Sequence, residues 1–264
     1  MAIKNTPQFL RAAFDAALKT ADPQAMLPDG LSKVFSAPLK GRCLVLGAGK
    51  AAASMAVALE QYAQQNWPEA KLEGVVITRY GHNLPTKTIQ VIEAGHPVPD
   101  EAGLNGAKET LRLIRTLQPG DQLIALISGG GSSLLTLPAP GLSIQDLQVT
   151  TQALLMSGAP IGQMNIVRKH LSAILGGHMA REAAARGAKV DAFLISDVTG
   201  DHPSSIASGP CAPDESTFAD ALQILKDYDL LQGQIPKVVT DYLQNGLLGK
   251  HPETPKSGLS LIHI

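Results

Sequence analysis

The chain predicts an α/β fold, a mostly parallel sheet covered by helices on both faces. Three observations carry that reading. Strand-like and helix-like segments alternate from Gly41 onward, the strand-like runs are almost continuously apolar, and several of them end in small or polar turns. In open sheets of this kind ligands bind outside the carboxyl ends of the strands, so the turns that follow strands are where chemistry is expected.

The elements follow in order. An opening helix from about Gln8 to Thr20 packs either outside the sheet or on a further domain. Arg42–Leu46 reads as the first strand, and Lys50 to about Gln65 as an alanine-rich helix. Gly74–Thr78 and Ile89–Glu93 are the next strands. From Glu101 to Leu117 the apolar residues Leu104, Ala107, Leu111 and Ile114 recur with helical period. The run Leu123–Ile127 is a buried strand ending in Ser128-Gly-Gly-Gly-Ser132. Ser143 and Asp146 form a capping-box variant that opens a helix ending near Gly158. Met164 to about Leu175 reads as a helix halted by Gly176-Gly177, a short helix follows to Arg186 with Gly187 as its stop, and Val190–Ser196 is another buried strand.

Bulk properties narrow the function classes. With 264 residues and 44% hydrophobic content, the chain can bury one large or two modest domains. A net charge of −1 points to neither nucleic acid nor an anionic membrane, and 4% aromatic residues argue against base-stacking platforms. Cys43 and Cys211 are too far apart for a metal knuckle, and Cys43 reads as a buried small hydrophobe. No stretch approaches the roughly 20 apolar residues that span a bilayer, and the N-terminus lacks a signal-peptide layout. A reduced, cytoplasmic protein is expected.

Four junctions hold the candidate residues. In Leu46-Gly-Ala-Gly-Lys-Ala-Ala-Ala53 a strand meets a dinucleotide-type glycine turn built on Gly47 and Gly49, but no acidic residue follows at the distance that would grip a ribose, and the second strand ends in Arg79 instead. Lys50 falls in the first turn of a helix whose N-terminus is itself positive, a local conflict that an anion would resolve, or it is a solvated surface lysine. The triplet Gly129-Gly130-Gly131, flanked by Ser128 and Ser132, suits a phosphate or carboxylate, or is plain turn chemistry. Gly95-His-Pro-Val-Pro-Asp100 either turns His96 and Asp100 toward a cleft or is a structural turn with Asp100 capping the next helix. In Asn165-Ile-Val-Arg-Lys-His170, Arg168 shares a face with Asn165 while His170 points elsewhere, and Arg168 is a candidate anion ligand or a solvated residue. Ile195-Ser-Asp-Val-Thr-Gly-Asp201 delivers Asp197 at a strand end with Asp201 beyond it, followed by Ile206-Ala-Ser-Gly-Pro210 with Ser208. These carboxylates suit Mg²⁺, one of them suits a general base, and an Asx-turn is the structural alternative.

As an ordered set, these motifs resemble the glycerate 2-kinase family, whose members carry a MOFRL-type C-terminal domain. The resemblance runs from near the N-terminus to about Lys256. It implies a Rossmann-like domain paired with a second α/β domain, ATP-dependent phosphorylation of D-glycerate to 2-phosphoglycerate, and an active site in the cleft between them. Carried over, Lys50 matches the catalytic lysine, Asp197 an active-site aspartate, and Ser128 to Ser132 the same cleft. ATP and Mg²⁺ are the implied cofactors, with Asp197 and Asp201 as metal ligands, glycerate as the small-molecule partner, and a homodimer as an open assembly.

Residues 1–256 are therefore expected to form the N-terminal Rossmann-like domain. The hexapeptide Leu259-Ser-Leu-Ile-His-Ile264 is what a transposon-type sequencing adapter encodes in frame, so residues 257–264 are expected to be a non-native tail and the second domain to be largely missing. An arginine and acidic residues from the family's C-terminal half would then be absent, leaving the fragment inactive alone. Two rivals remain: an NAD(P)H-dependent hydroxypyruvate reductase, and a nonenzymatic fragment exposing an apolar interdomain face.

Overall fold

Along β1 (Gly41–Ala48) successive buried side chains point to opposite sides: Leu44, Leu46 and Ala48 join one apolar core, Cys43 and Val45 another. A strand with two buried faces must lie inside a sheet clad on both sides, and the computed structural model has that arrangement. It describes residues 6–20 and 22–256; the expected tail lies outside them. β1, β2 (Ala70–Arg79), β3 (Ile89–Ala94), β4 (Gln122–Ser128) and β5 (Lys189–Ile195) pair in the order β3-β2-β1-β4-β5, all parallel among the described residues.

The helices are α1 (Thr6–Thr20), α2 (Pro23–Val34), α3 (Ala52–Asn66), α4 (Glu101–Ile114), α5 (Gly131–Leu134), α6 (Ile144–Met156), α7 (Ile161–His170), α8 (His178–Ala184), α9 (Phe218–Asp227) and α10 (Lys237–Leu247). α2 and α3 cover one face through Leu31, Met55 and Leu59, and α4 and α8 the other through Ala107, Ile114 and Ala183. This division follows from right-handed crossovers. The chain winds outward from β1 to β2, then crosses back to β4 and winds the other way, so the connecting helices change face. The change of direction leaves a switch point between the paired strands β1 and β4, whose following segments leave toward opposite faces of the sheet.

A third core, built on Leu154, Val167, Phe218, Leu225, Val239 and Leu243, holds α6, α7, α9 and α10 together as a helical cluster. Helix α7 starts three residues earlier than expected and stops at His170 rather than Leu175. The Ser172 hydroxyl accepts from the N–H groups of Ile174 and Leu175, and Ser172 bridges to Pro138, so the backbone is diverted after Leu171. Helices α2, α9 and α10 are additions to the sequence reading. α1 forms where expected, with every residue exposed, including Phe9, Leu10, Phe14 and Leu18. Both cysteines are buried, and burial pushes each thiol up to about 12. Among the described residues no helix is long and apolar enough to cross a membrane.

Candidate active site

The turns after β1 and β4 are tied to each other across the switch point. The Lys50 N–H donates to the Gly129 carbonyl at 2.9 Å, and the Ala51 N–H donates to the Ser128 hydroxyl at 3.0 Å. Gly49 donates to Ile77 on β2 at 3.0 Å, and Gly47 is buried within β1. Lys50 stands ahead of α3 rather than inside its first turn, because Ala51 is the N-cap. Its side chain is exposed, and no carboxylate pairs with it among the described residues. The two turns thus form one backbone frame carrying an uncommitted cation.

Around that frame, separate segments press against the glycines of the triplet. A β-carbon on Gly129 would fall on the Asp197 carboxylate, which arrives from the end of β5. A β-carbon on Gly130, whose φ is +85°, would lie 2.9 Å from His96 Nε2 and 3.2 Å from Lys50 Cε. Gly131 faces Ala207 of the short 3₁₀ turn Ile206–Ser208. The glycines are what allow Asp197, His96, Lys50 and the 206–208 turn to converge, and the N–H groups of Gly129, Gly130 and Gly131 meet no acceptor among the described residues. Ala207 and Ser208 both adopt left-handed backbone, at φ +51° and +57°, and the buried Ser208 hydroxyl sits 2.8 Å from that of Ser132. Strain of this kind persists only where the surroundings hold it, and it concentrates at functional sites.

The 95–100 junction divides its duties. Asp100 is the N-cap of α4, accepting from Gly103 N–H at 2.9 Å and from the Tyr80 hydroxyl at 2.8 Å. His96 instead faces the cleft. Burial, helped by the nearby Lys50 and Arg79 cations, holds its imidazole below the ordinary range, with Asp197 opposing. Sequence reasoning left both roles open for His96; the contact with Gly130 decides it.

Arg168 projects from α7 into a narrow cavity of about 20 Å³ that it shares with Pro97 and Ser132. The space admits roughly one water, so a larger ligand requires the helical cluster to part from the sheet. Among the described residues the partner of Arg168 is Asn165 Oδ1 at 3.4 Å, and burial pushes its guanidinium down. The expected divergence of the three basic residues holds, since Lys169 pairs with the buried Asp214 at 3.1 Å and His170 with Glu253 at 3.2 Å, away from the cleft.

Asp197 is exposed, and no hydrogen bond or ion pair among the described residues engages its carboxylate. Asp201 occupies a tight exposed turn at φ +50°, and none of the atoms packed against the glycine triplet belongs to it. No group of three metal-ligating side chains occurs among the described residues. Mg²⁺ is commonly held by one or two carboxylates with phosphates and waters completing its shell, and Asp197 is the one carboxylate packed against the glycine triplet among the described residues.

Fold and site together define a doubly wound α/β protein with a glycine turn of open N–H groups at its switch point. The chain belongs to the DUF4147 family, described as a domain of unknown function, whose profile matches residues 9–244. It is similar to the glycerate 2-kinase of Pyrococcus horikoshii, 43% identical over 225 residues that make up 85% of this chain and 49% of that protein. A protein of Agrobacterium vitis named as a candidate hydroxypyruvate reductase is 47% identical over 251 residues, 95% of this chain and 53% of that protein. The solved glycerate kinase of Thermotoga maritima superposes with a TM-score of 0.80 at 36% identity, covering 98% of this chain and 59% of that one. The chain spans about half the length of the curated relatives it matches.

Proposed function

We propose that this chain carries one wall of the active site of a cytoplasmic glycerate kinase, which transfers the terminal phosphoryl group of ATP to D-glycerate and yields 2-phosphoglycerate. The observation that carries the reading is the convergence of Lys50, Asp197 and the open N–H groups of the glycine triplet on one switch point. Phosphoryl transfer needs that set: positioned cations and donors for charge on phosphate oxygens, and little covalent chemistry from the protein. The similarity to proteins named as glycerate 2-kinases supports the substrate.

In this reading Lys50 neutralises charge on the transferred group, the turn from Ser128 to Ser132, with Gly47 and Gly49 behind it, holds a phosphate or the glycerate carboxylate, and Ser208 supports Ser132. Arg168 reaches the substrate when the cavity beside it opens. Asp197 would hold Mg²⁺, which when bound offsets negative charge between neighbouring phosphate oxygens; Asp201 belongs to the turn beyond it. A second, MOFRL-type domain would supply the facing wall.

The hydroxypyruvate reductase name carried by two relatives from Agrobacterium vitis favours a second reading. β2 ends in Thr78-Arg79, where an NAD-binding fold places an acidic residue on the ribose, and arginine there suits only a phosphorylated cofactor. A coupled assay with D-glycerate and MgATP, identifying the phosphoglycerate isomer, tests the proposal on the 264-residue chain and on the same chain joined to the C-terminal half of a longer relative. Formation of 2-phosphoglycerate in either form supports the kinase. Oxidation of NADPH by hydroxypyruvate without phosphoryl transfer would overturn it.

A further inference from the structure

We propose that His96 is a catalytic residue of this site, its imidazole taking the proton of the hydroxyl that attacks the phosphoryl donor. The inference rests on the kinase reading above. Its basis is position: a β-carbon on Gly130 would stand 2.9 Å from His96 Nε2 and 3.2 Å from Lys50 Cε, so the ring and the lysine side chain meet over the same residue of the glycine turn. The neighbouring carboxylate in the sequence, Asp100, is consumed by Gly103 and Tyr80 and does not hold the ring. The charged groups facing His96 are Lys50 ahead of α3, Arg79 at the end of β2 and Asp197 beyond β5. Burial and, after it, the two cations favour the neutral ring against Asp197, and a neutral ring can receive a proton.

In the step, the substrate O–H proton passes to the imidazole and the oxygen forms its bond to phosphorus. The bond from phosphorus to the bridging oxygen breaks, and its electron pair leaves with the nucleoside diphosphate. His96 then returns the proton to water. A general base of this kind contributes roughly 10²–10⁴-fold. Asp197 is the competing base, on the adjacent side of the glycine turn.

The test is the pH dependence of D-glycerate phosphorylation for wild type, H96Q, H96N and D197N, with thermal melts to confirm that each folds. His96 as base predicts that wild-type kcat/KM falls on the acid side, below the ordinary imidazole range. It also predicts that H96Q and H96N lose 100-fold or more in kcat with KM for D-glycerate changed only a few-fold, and that the acid limb disappears. Wild-type kcat with an intact limb in both histidine variants, or a limb removed by D197N alone, overturns the assignment. The variants are made in whichever form is active, the chain alone or joined to the C-terminal half of a longer relative. If neither form phosphorylates D-glycerate, that counts against the kinase reading, and His96 is judged by proton NMR. Its ring signal, identified by its loss in H96Q, should titrate at higher pH when D-glycerate or inorganic phosphate is added. No response to either probe removes His96 from a ligand site.

Discussion

Gly129 and Asp197 are coupled residues, since the missing side chain of one is the room occupied by the carboxylate of the other. Gly129→Ala should therefore displace Asp197, costing about 1–3 kcal/mol of stability by overpacking and most of the activity, as read by urea unfolding and the kinase assay. Lys50 presents the opposite case. It is exposed and unpaired among the described residues, so Lys50→Met should leave stability within about 0.5 kcal/mol while lowering phosphoryl transfer about 10²–10³-fold. A melting point that falls with Lys50→Met would show the lysine to be structural. Away from the site, His178 is half-buried beside Arg181, which donates to its Nδ1 at 2.7 Å, and burial first, then Arg181, lowers it to about 4. Between that value and the ordinary 6.5 the unfolded chain binds a proton the folded one does not, so stability is complete above about 6.5 and declines as pH falls toward 4. The loss is at most about 3 kcal/mol at 1.36 kcal/mol per unit, and solvent at the partly exposed ring reduces it. Thermal melts of His178→Gln should be flatter across that window than those of wild type.

At the scale of elements, α7 is held by charges as well as by its apolar face. The buried Lys169–Asp214 pair is completed by Ser216 and Thr254, which donate to the same carboxylate, and His170 reaches Glu253 in the segment that follows α10. Lys169→Met leaves that carboxylate unpaired and should destabilise the chain by about 3–5 kcal/mol, with Asp214→Leu in the same chain recovering only part of it, as a double-mutant unfolding cycle would measure. These pairs also explain what was legible in advance. β1, β4 and β5 are buried on both faces and read as apolar runs, and their ends in Gly, Ser and Asp announce the site. Helix α9 also carried a signal, the capping box of Thr217 and Asp220, yet it packs on other helices, outside the β–α alternation that guided the reading. α2 is obscured by Pro28 within it, and the true end of α7 depends on the Ser172 hydroxyl, a tertiary detail. The facing of His96 depends on its contact with Gly130, which only the folded chain brings about.

For the molecule as a whole, the sheet supplies the cradle and the helical cluster supplies Arg168, so the candidate site bridges two separate apolar cores. Burial lowers the Arg168 guanidinium, and no carboxylate offsets that cost among the described residues. The cluster therefore carries an unfavourable cation that a substrate anion would relieve. A ligand that binds only the folded chain at 100 times its Kd adds about 2.7 kcal/mol, and part of that gain should arise from the anion's contact with Arg168. Arg168→Ala should then leave the ligand-free chain at least as stable as wild type while removing most of the stabilisation by D-glycerate. In wild type, D-glycerate should slow amide exchange jointly in α7 and in residues 129–131. Equal stabilisation of wild type and Arg168→Ala would place Arg168 in the packing of the cluster and leave the cradle of the sheet to bind the anion alone.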